Sequence, residues 1–308
     1  MWDYIIIILA VVCFAGQFAF TKVYEESVKQ TAVTSLVMLF LTGLLGAALY
    51  LVIGKFRVDV SLPSVLFALA FAVVMIPYYM ISIKVLSLGS LAVYSMFMML
   101  GGMLLPFLYG ILFLQEGISW GKALGCVLLT GFIVLQALSQ KTADSTGAGT
   151  SQTQEKGNPY LFFLLCLCIF VINGLTGVIA KAHQIQPQAV GEVSFTVLSC
   201  AFTALISGVL LLIVSLSKRK ESLAEMQTVF QGKPLAFIGL LGAAMHTGNF
   251  LILKAAANVP ASVQFPLISG GTIVLSALAS ALIFKEKLSW KEWISVGGAF
   301  ATTFLFAF

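Results

Sequence analysis

The stretch LQEGISW at residues 114–120 returns as FKEKLSW at residues 284–290, and this recurrence decides the fold. It ends a longer match in which residues 84–120 align with residues 254–290 without a gap. Polar residues are scarce in this chain, so the shared Lys, Gly and Glu-x-x-Ser-Trp carry the match. An internal repeat built from membrane segments is typical of secondary transporters.

Composition places most of the chain in a lipid membrane. The 308 residues are 60% hydrophobic and 9% charged, and the mean hydropathy is +1.04. A soluble domain carries about 25% charged residues, so this chain has too few charges to cover a water-facing surface. The net charge of +5 is modest and indicates membrane topology rather than nucleic-acid binding.

Ten apolar stretches are candidate membrane helices, because a membrane-spanning helix needs about 17–25 such residues. They cover residues 4–21, 32–53, 64–83, 90–114, 121–138, 160–180, 190–216, 234–253, 259–284 and 290–308. Residues 139–158 are polar, which predicts a flexible linker. Five stretches precede it and five follow, so the second half enters the membrane upside down. The predicted fold is all-α integral membrane, with ten transmembrane helices in two inverted five-helix repeats, residues 1–138 and 159–308.

These features resemble the drug/metabolite transporter superfamily, and its EamA-type branch in particular. The resemblance is carried by the two Glu-x-x-Ser-Trp turns, each followed by a glycine, and by a lysine after the first helix of each half. The residues concerned are Glu116, Ser119, Trp120 and Gly125; Glu286, Ser289, Trp290 and Gly297; Lys22 and Lys181. The resemblance implies a transporter that exports or exchanges metabolites, amino acids or drugs through a central cavity.

Candidate cavity residues are polar side chains within the apolar stretches. All twelve acidic residues lie at predicted helix ends or in loops, so the expected lining is neutral and aromatic. The small four-helix relatives in the superfamily use a buried Glu in the first helix, where this chain has Gln17. The candidates are Gln17, Tyr78, Tyr79, Tyr94, Asn173, His246, Asn249 and Gln264. Each can also serve as a helix-to-helix hydrogen bond, worth about 0.6 kcal/mol in membranes.

His246 is the candidate proton site, because an imidazole titrates near neutral pH. No phosphate loop or metal-ligand helix pair occurs in the sequence. The five cysteines lie in apolar stretches and suit packing. The chain is therefore expected not to be an enzyme and to have no cofactor, no metal site and no nucleic-acid partner. The expected partners are a small-molecule substrate and membrane lipid, with the protein a monomer or homodimer.

The predicted location is the cell membrane, plasma or inner, with several passes. Most Lys and Arg residues lie in the odd-numbered loops, and the positive-inside rule then places both termini outside. The family resemblance implies both termini in the cytoplasm, so the orientation stays open.

The predicted function is export or exchange of small metabolites by alternating access, with amino acids or related neutral and aromatic compounds, drugs included, as substrates. One alternative is a flippase for lipids or lipid-linked sugars, in which Lys84 or Lys254 binds a phosphate. A lateral opening between helices favours that alternative. The other is a membrane scaffold without transport, which a dry interior favours.

Overall fold

The computed structural model of the protein describes residues 2–115, 117, 119–146, 159–217, 219–256, 259 and 261–307. Within these residues, all regular structure is helical. The helices are α1 (Trp2–Ser27), α2 (Ala32–Ile53), α3 (Leu62–Leu88), α4 (Leu91–Leu114), α5 (Trp120–Thr146), α6 (Pro159–Gln184), α7 (Glu192–Ser217), α8 (Arg219–Phe230), α9 (Lys233–Ala256), α10 (Ala261–Leu282) and α11 (Trp290–Thr303), with a closing 3-10 turn at Phe304–Ala307.

Seven helices are long and apolar enough to cross a membrane: α1, α2, α3, α4, α6, α7 and α9. Helices α5 and α10 contain shorter apolar parts, Trp120–Phe132 and Leu267–Leu282. Many of their large apolar side chains face outward, as lipid-facing residues do. The protein is therefore an all-α, multi-pass membrane protein, as the composition predicts.

The described residues hold eleven α-helices, where the sequence predicts ten. Each predicted stretch falls largely within a helix, and the addition is α8, inside a connection predicted as a polar loop. Helix α8 is mostly polar. Its buried residues Ser222 and Val229 lie on one face, seven residues apart, and the other face carries exposed charges such as Lys220 and Glu221. Hydropathy alone does not detect so polar a helix.

Helix α5 continues to Thr146, through the first eight residues of the predicted linker. No glycine or proline separates Leu138 from Thr146, so nothing in the sequence stops the helix. The rest of the predicted linker, residues 147–158, lies outside the described residues. The domain boundaries stay a prediction.

Equivalent turns close α4 and α10. Gln115 after α4 and Lys285 after α10 both adopt left-handed backbone, with φ of 56° and 52°. Non-glycine residues seldom adopt this conformation, and these two occupy the same position in the repeated stretch. In the second turn, the amide of Glu286 donates to the carbonyl of Ser280 at 3.0 Å, and this directs the chain back toward the bundle. Glu116, the counterpart of Glu286, lies outside the described residues.

Helices of the first half (α1–α5) pack mainly against helices of the second half (α6–α11). Helix α1 packs most extensively on α9 and then α10, whereas α6 packs on α4 and then α3. We call α1, α9 and α10 the first triplet, and α3, α4 and α6 the second triplet. The two are joined chiefly where α10 meets α4, and the pairs α2–α7 and α5–α11 flank them. The core is therefore shared between the halves.

Two glycines, Gly46 and Gly101, allow close contacts between helices of the first half and helices of the second. A Cβ atom on Gly101 of α4 would lie 2.1 Å from the carbonyl oxygen of Phe170 in α6, and one on Gly46 of α2 would lie 2.3 Å from the ring of His246. Small residues at such crossings let backbones approach in lipid, where dispersion contacts rather than water exclusion hold helices together.

Candidate functional site

A group of hydrogen-bonded tyrosines lies where α3 and α4 meet. The hydroxyl oxygens of Tyr78 and Tyr94 are 3.4 Å apart. Tyr94 donates to the Oγ of Ser82 at 3.0 Å, and Tyr78 donates to the sulfur of Met98 at 3.2 Å. We call Tyr78, Tyr79, Ser82, Tyr94 and Met98 the tyrosine cluster. All five residues are buried.

Helical spacing on two neighbouring helices builds this cluster. Tyr78 and Ser82 are four residues apart on α3, and Tyr94 and Met98 are four apart on α4, so each pair shares a helix face. Ser90 caps the start of α4 by accepting a hydrogen bond from the amide of Val93 at 3.3 Å. The short connection between α3 and α4 thus brings the two faces together.

Three further helices supply the surroundings of the cluster. The ring of Phe18 in α1 stands edge-on to Tyr94 with 5.7 Å between centroids. Asn173 in α6 donates its amide to the carbonyl of Met98 at 2.7 Å, and Tyr79 donates to the sulfur of Met245 in α9 at 3.4 Å. Both triplets therefore contribute to one site near the middle of the bundle.

The contacts group four of the eight residues predicted from the sequence: Tyr78, Tyr79, Tyr94 and Asn173. Asn249 is exposed, and its amide donates to the carbonyl of Met245, one turn earlier on the same helix, at 3.0 Å. The sequence did not single out Ser82, Met98 or Met245. Serine and methionine are too common in apolar helices to give a signal.

Gln17 and Gln264 have different surroundings. Gln17 is buried beside Phe18 on α1, and its side-chain oxygen has no hydrogen-bond partner among the described residues. Gln264 donates to the carbonyl of Ile252 at 2.7 Å and so joins the start of α10 to α9. A buried acceptor without a donor is costly. The side-chain oxygen of Gln17 is therefore available to accept a hydrogen bond from a ligand that carries an N–H or O–H group.

His246 faces α2 rather than the tyrosine cluster. Its Nε2 lies 3.0 Å from the carbonyl oxygen of Thr42. A carbonyl only accepts, so Nε2 carries the hydrogen and Nδ1 holds a free lone pair. Within the described part of the chain, Nδ1 is buried and unpartnered. Tyr50 donates to the backbone carbonyl of His246 at 3.2 Å and packs edge-on to its ring. The ring is thus held in one tautomer with one vacant proton acceptor.

His183, in the last turn of α6, is a second buried histidine. Ser64 accepts hydrogen bonds from Ser61 at 2.8 Å and from the amide of Val190 at 3.1 Å. Its own hydrogen is therefore directed to Nε2 of His183, 2.8 Å away. The imidazole also stacks on Phe195, with centroids 4.0 Å apart. These contacts tie α6 to the starts of α3 and α7.

A buried ion pair lies at the end of α1, and the sequence did not predict it. The ammonium group of Lys22 pairs with Glu286, which also accepts from the hydroxyl of Ser280. The carboxylate oxygen that accepts from Ser280 also accepts from the amide of Leu91, the first residue of α4, at 3.1 Å, while Lys22 pairs with the other oxygen. We call Lys22, Ser280, Glu286 and the Leu91 amide the Glu286 junction. The repeat marked Lys22 and Glu286 separately, but nothing in the sequence pairs two residues so far apart.

A crevice opens between the start of α2 and the last turns of α3. It has a volume of about 160 Å³ and includes Gln30, Thr31, Met80, Ile83 and Lys84 in its lining. Met80 and Ile83 of α3 supply large apolar side chains, and Gln30 and Thr31 of the α1–α2 connection supply polar groups. Lys84 is exposed at its edge. The lining therefore suits an amphiphilic molecule.

The all-helical fold of the described residues and their apolar spans define a multi-pass membrane protein. Residues 160–308 match the sequence model of the EamA-like transporter family. This match, over residues 160–308, supports an EamA-type transporter of the drug/metabolite transporter superfamily. No curated protein matches the chain. The family is one of transporters, which is consistent with the expectation that the chain is not an enzyme.

Proposed function

We propose that this protein exports or exchanges small neutral or zwitterionic metabolites, amino acids and aromatic compounds or drugs among them, by alternating access. The observation that carries this proposal is the tyrosine cluster, where helices of both triplets meet at a neutral, aromatic and hydrogen-bonding centre. Tyrosine rings offer apolar faces and hydroxyl groups to one ligand. Small ligands commonly bind where a few polar groups converge in an apolar site.

The proposed architecture is a pair of inverted five-helix repeats, with α8 as an addition to the second. The helix contacts support it. If each helix of the first half is exchanged for its counterpart in the second, the contact of α1 with α9 becomes the contact of α6 with α3. Likewise, the contact of α1 with α10 becomes the contact of α6 with α4. Three further contacts each join a helix to its own counterpart, so the exchange leaves them unchanged: α2–α7, α4–α10 and α5–α11. The left-handed Gln115 and Lys285 follow the same exchange.

In this proposal the two triplets are the bodies that move. Each triplet mixes helices from both halves, so movement of one against the other changes access to the tyrosine cluster from either face of the membrane. Asn173 and Met98 lie within the second triplet, whereas Phe18 and Met245 belong to the first. A ligand between Tyr94 and Phe18 would contact both bodies. Its binding would then depend on their relative position.

The test is counterflow of radiolabelled amino acids in liposomes that contain the purified protein. Tyr94→Phe removes one hydroxyl and is expected to raise KM about threefold to tenfold, because a hydrogen bond contributes about 0.5–1.5 kcal/mol. Tyr109→Phe, the same change on the same helix, is the matched control, since the Tyr109 ring stacks on Phe113 instead. Equal uptake by both variants would mean that the tyrosine cluster does not bind the substrate.

His246→Ala and Asn249→Ala separate two roles in the same assay. Asn249 is exposed one turn after Met245 on α9, and we propose that it contacts the substrate, so its loss is expected to weaken uptake at every pH. His246 is the proposed proton site, and its loss is expected to abolish uptake driven by a pH gradient while counterflow remains. If His246→Ala leaves gradient-driven uptake unchanged, the imidazole acts only in joining α9 to α2.

The crevice at Lys84 favours a second candidate, a lipid or lipid-linked sugar flippase. In that case Lys84→Gln is expected to slow the movement of a fluorescent phospholipid between leaflets of protein-containing liposomes. The control is Lys287→Gln, an exposed lysine in the connection after α10. Flipping at the parent rate in Lys84→Gln, or at the rate of empty liposomes in the parent, would reject this candidate.

We place the protein in the plasma or inner membrane, with the substrate and lipid as its partners. The supporting facts are the multi-pass apolar fold and the family. The repeats are complete within one chain, which suits a functional monomer as well as a homodimer.

A further inference from the structure

We infer that Glu286 is a latch that closes one face of the transporter, and that its movable contact is the hydrogen bond to the Leu91 amide rather than the ion pair with Lys22. This inference rests on the proposed function and adds a closing device to it. The face concerned, here called the Lys22 face, is where α1 ends and α4 begins.

The junction divides its contacts between the two triplets. Lys22 belongs to α1, Ser280 to α10, and Glu286 follows α10, so the ion pair and the serine hydrogen bond lie within the first triplet. The Leu91 amide belongs to α4 of the second triplet. The carboxylate therefore bridges the two bodies. One oxygen pairs with Lys22 of the first triplet, and the other accepts both from Ser280 of the first triplet and from the Leu91 amide of the second.

Buried charge explains which contact moves. Lys22 is 1% exposed, and a buried ammonium that loses its carboxylate is strongly unfavourable. The ring of Phe284, 5.2 Å from the ammonium, adds a further contact within the same body. The Leu91 amide is different, since it is an ordinary helix-start donor at the bundle end that water can satisfy when the helix moves. Separation of the triplets therefore breaks the amide contact and leaves the pair intact.

The position of the junction relative to the tyrosine cluster explains the effect on access. Tyr94 lies three residues after Leu91 on α4, about 4.5 Å deeper in the bundle. Phe18, whose ring contacts Tyr94, lies four residues before Lys22 on α1. The Glu286 junction thus lies about one helical turn outside the tyrosine cluster, both along α4 and along α1, and covers it from the Lys22 face. When α4 leaves Glu286, Tyr94 becomes reachable from the Lys22 face.

The strength of the contact suits a latch. A hydrogen bond to a carboxylate contributes enough to shift a two-state ratio about tenfold or more. A negative charge at a helix start adds to this. Thermal motion can still break such a contact, so the closed and open forms remain in exchange.

Leu91→Pro tests the latch without disturbing the ion pair. Proline lacks the amide hydrogen and is well tolerated at the first position of a helix. The preceding Ser90 already has φ of −75° and ψ of 145°, which suits a residue before proline. The matched control is Leu91→Ala, which keeps the amide and also shortens the buried side chain.

The measurement is the distance between spin labels on the two triplets, by pulsed electron paramagnetic resonance. The labels are placed at Lys84→Cys on α3 and Lys287→Cys after α10, both exposed, in a full chain whose five native cysteines are replaced. Leu91→Pro is expected to raise the ratio of longer to shorter distances about tenfold over Leu91→Ala. Identical distributions for the two variants would overturn the latch.

A double variant covers the case in which Leu91→Pro does not fold. Lys22→Met with Glu286→Leu removes both charges together and is expected to give the same shift toward longer distances. An unchanged distribution in that variant also overturns the proposal. The labels report without substrate, so a shift without transport of any compound leaves the latch and rejects the transport proposal. Transport without a shift in the label distances rejects the latch and leaves the transport proposal.

Discussion

Glu286→Leu is expected to lower the stability of the folded protein by about 3–5 kcal/mol, the range seen when one member of a buried ion pair is removed. The reason is that Lys22 stays buried without its carboxylate, and the Leu91 amide and the Ser280 hydroxyl lose their acceptor. The measurement is equilibrium unfolding of the purified protein in mixed detergent micelles. Lys287→Met, one residue further along the same connection but exposed, is expected to be neutral.

The double variant Lys22→Met with Glu286→Leu is expected to recover most of this loss, because apolar residues of similar volume often replace a buried pair without penalty. A charge exchange, Lys22→Glu with Glu286→Lys, is expected to remain unstable. A lysine at position 286 would place a charged donor against the two donors there, the Leu91 amide and the Ser280 hydroxyl, whereas a leucine adds no such conflict. Full recovery by the exchanged pair would mean that the amide contact contributes nothing.

Gly101→Ala is expected to destabilise the protein by about 1–3 kcal/mol or more, as overpacking at a tight contact does. A Cβ atom at this position would lie 2.1 Å from the carbonyl oxygen of Phe170, a backbone atom that cannot rotate away. Helices α4 and α6 must then separate, and the hydrogen bond from Asn173 to Met98 in the same crossing weakens. The expected result is a lower unfolding midpoint together with reduced transport.

Gly239→Ala is the control for that substitution. Gly239 lies two turns into α9, and a Cβ atom there would meet nothing within 4 Å. Alanine is favoured over glycine in a helix by about 1 kcal/mol, so this variant is expected to be neutral or slightly more stable. If Gly101→Ala unfolds at the same midpoint as Gly239→Ala, the close approach of α4 and α6 does not contribute to stability.

The candidate site illustrates where sequence reasoning stops. Tyr78, Tyr79, Tyr94 and Asn173 were predicted because polar side chains are expensive in lipid and must face a partner or a cavity. That argument applies equally to Gln264 and His246, which the contacts place against Ile252 and Thr42 instead. Cost in lipid identifies which residues need a partner, but only the packing of α3, α4, α6 and α9 selects the partner.

The sequence by itself determined the membrane class, the positions of the apolar helices and the repeated Glu-x-x-Ser-Trp turn, because hydropathy and internal repetition are properties of the chain. It did not determine the helix at Arg219–Phe230, because that segment is polar and its few buried residues form no apolar pattern that can be read along the chain. The tertiary structure alone decided that Lys22 meets Glu286 and that Glu286 reaches the start of α4. Those contacts join residues distant in the chain, and the packing of helices from both halves, rather than any local preference, brings them together.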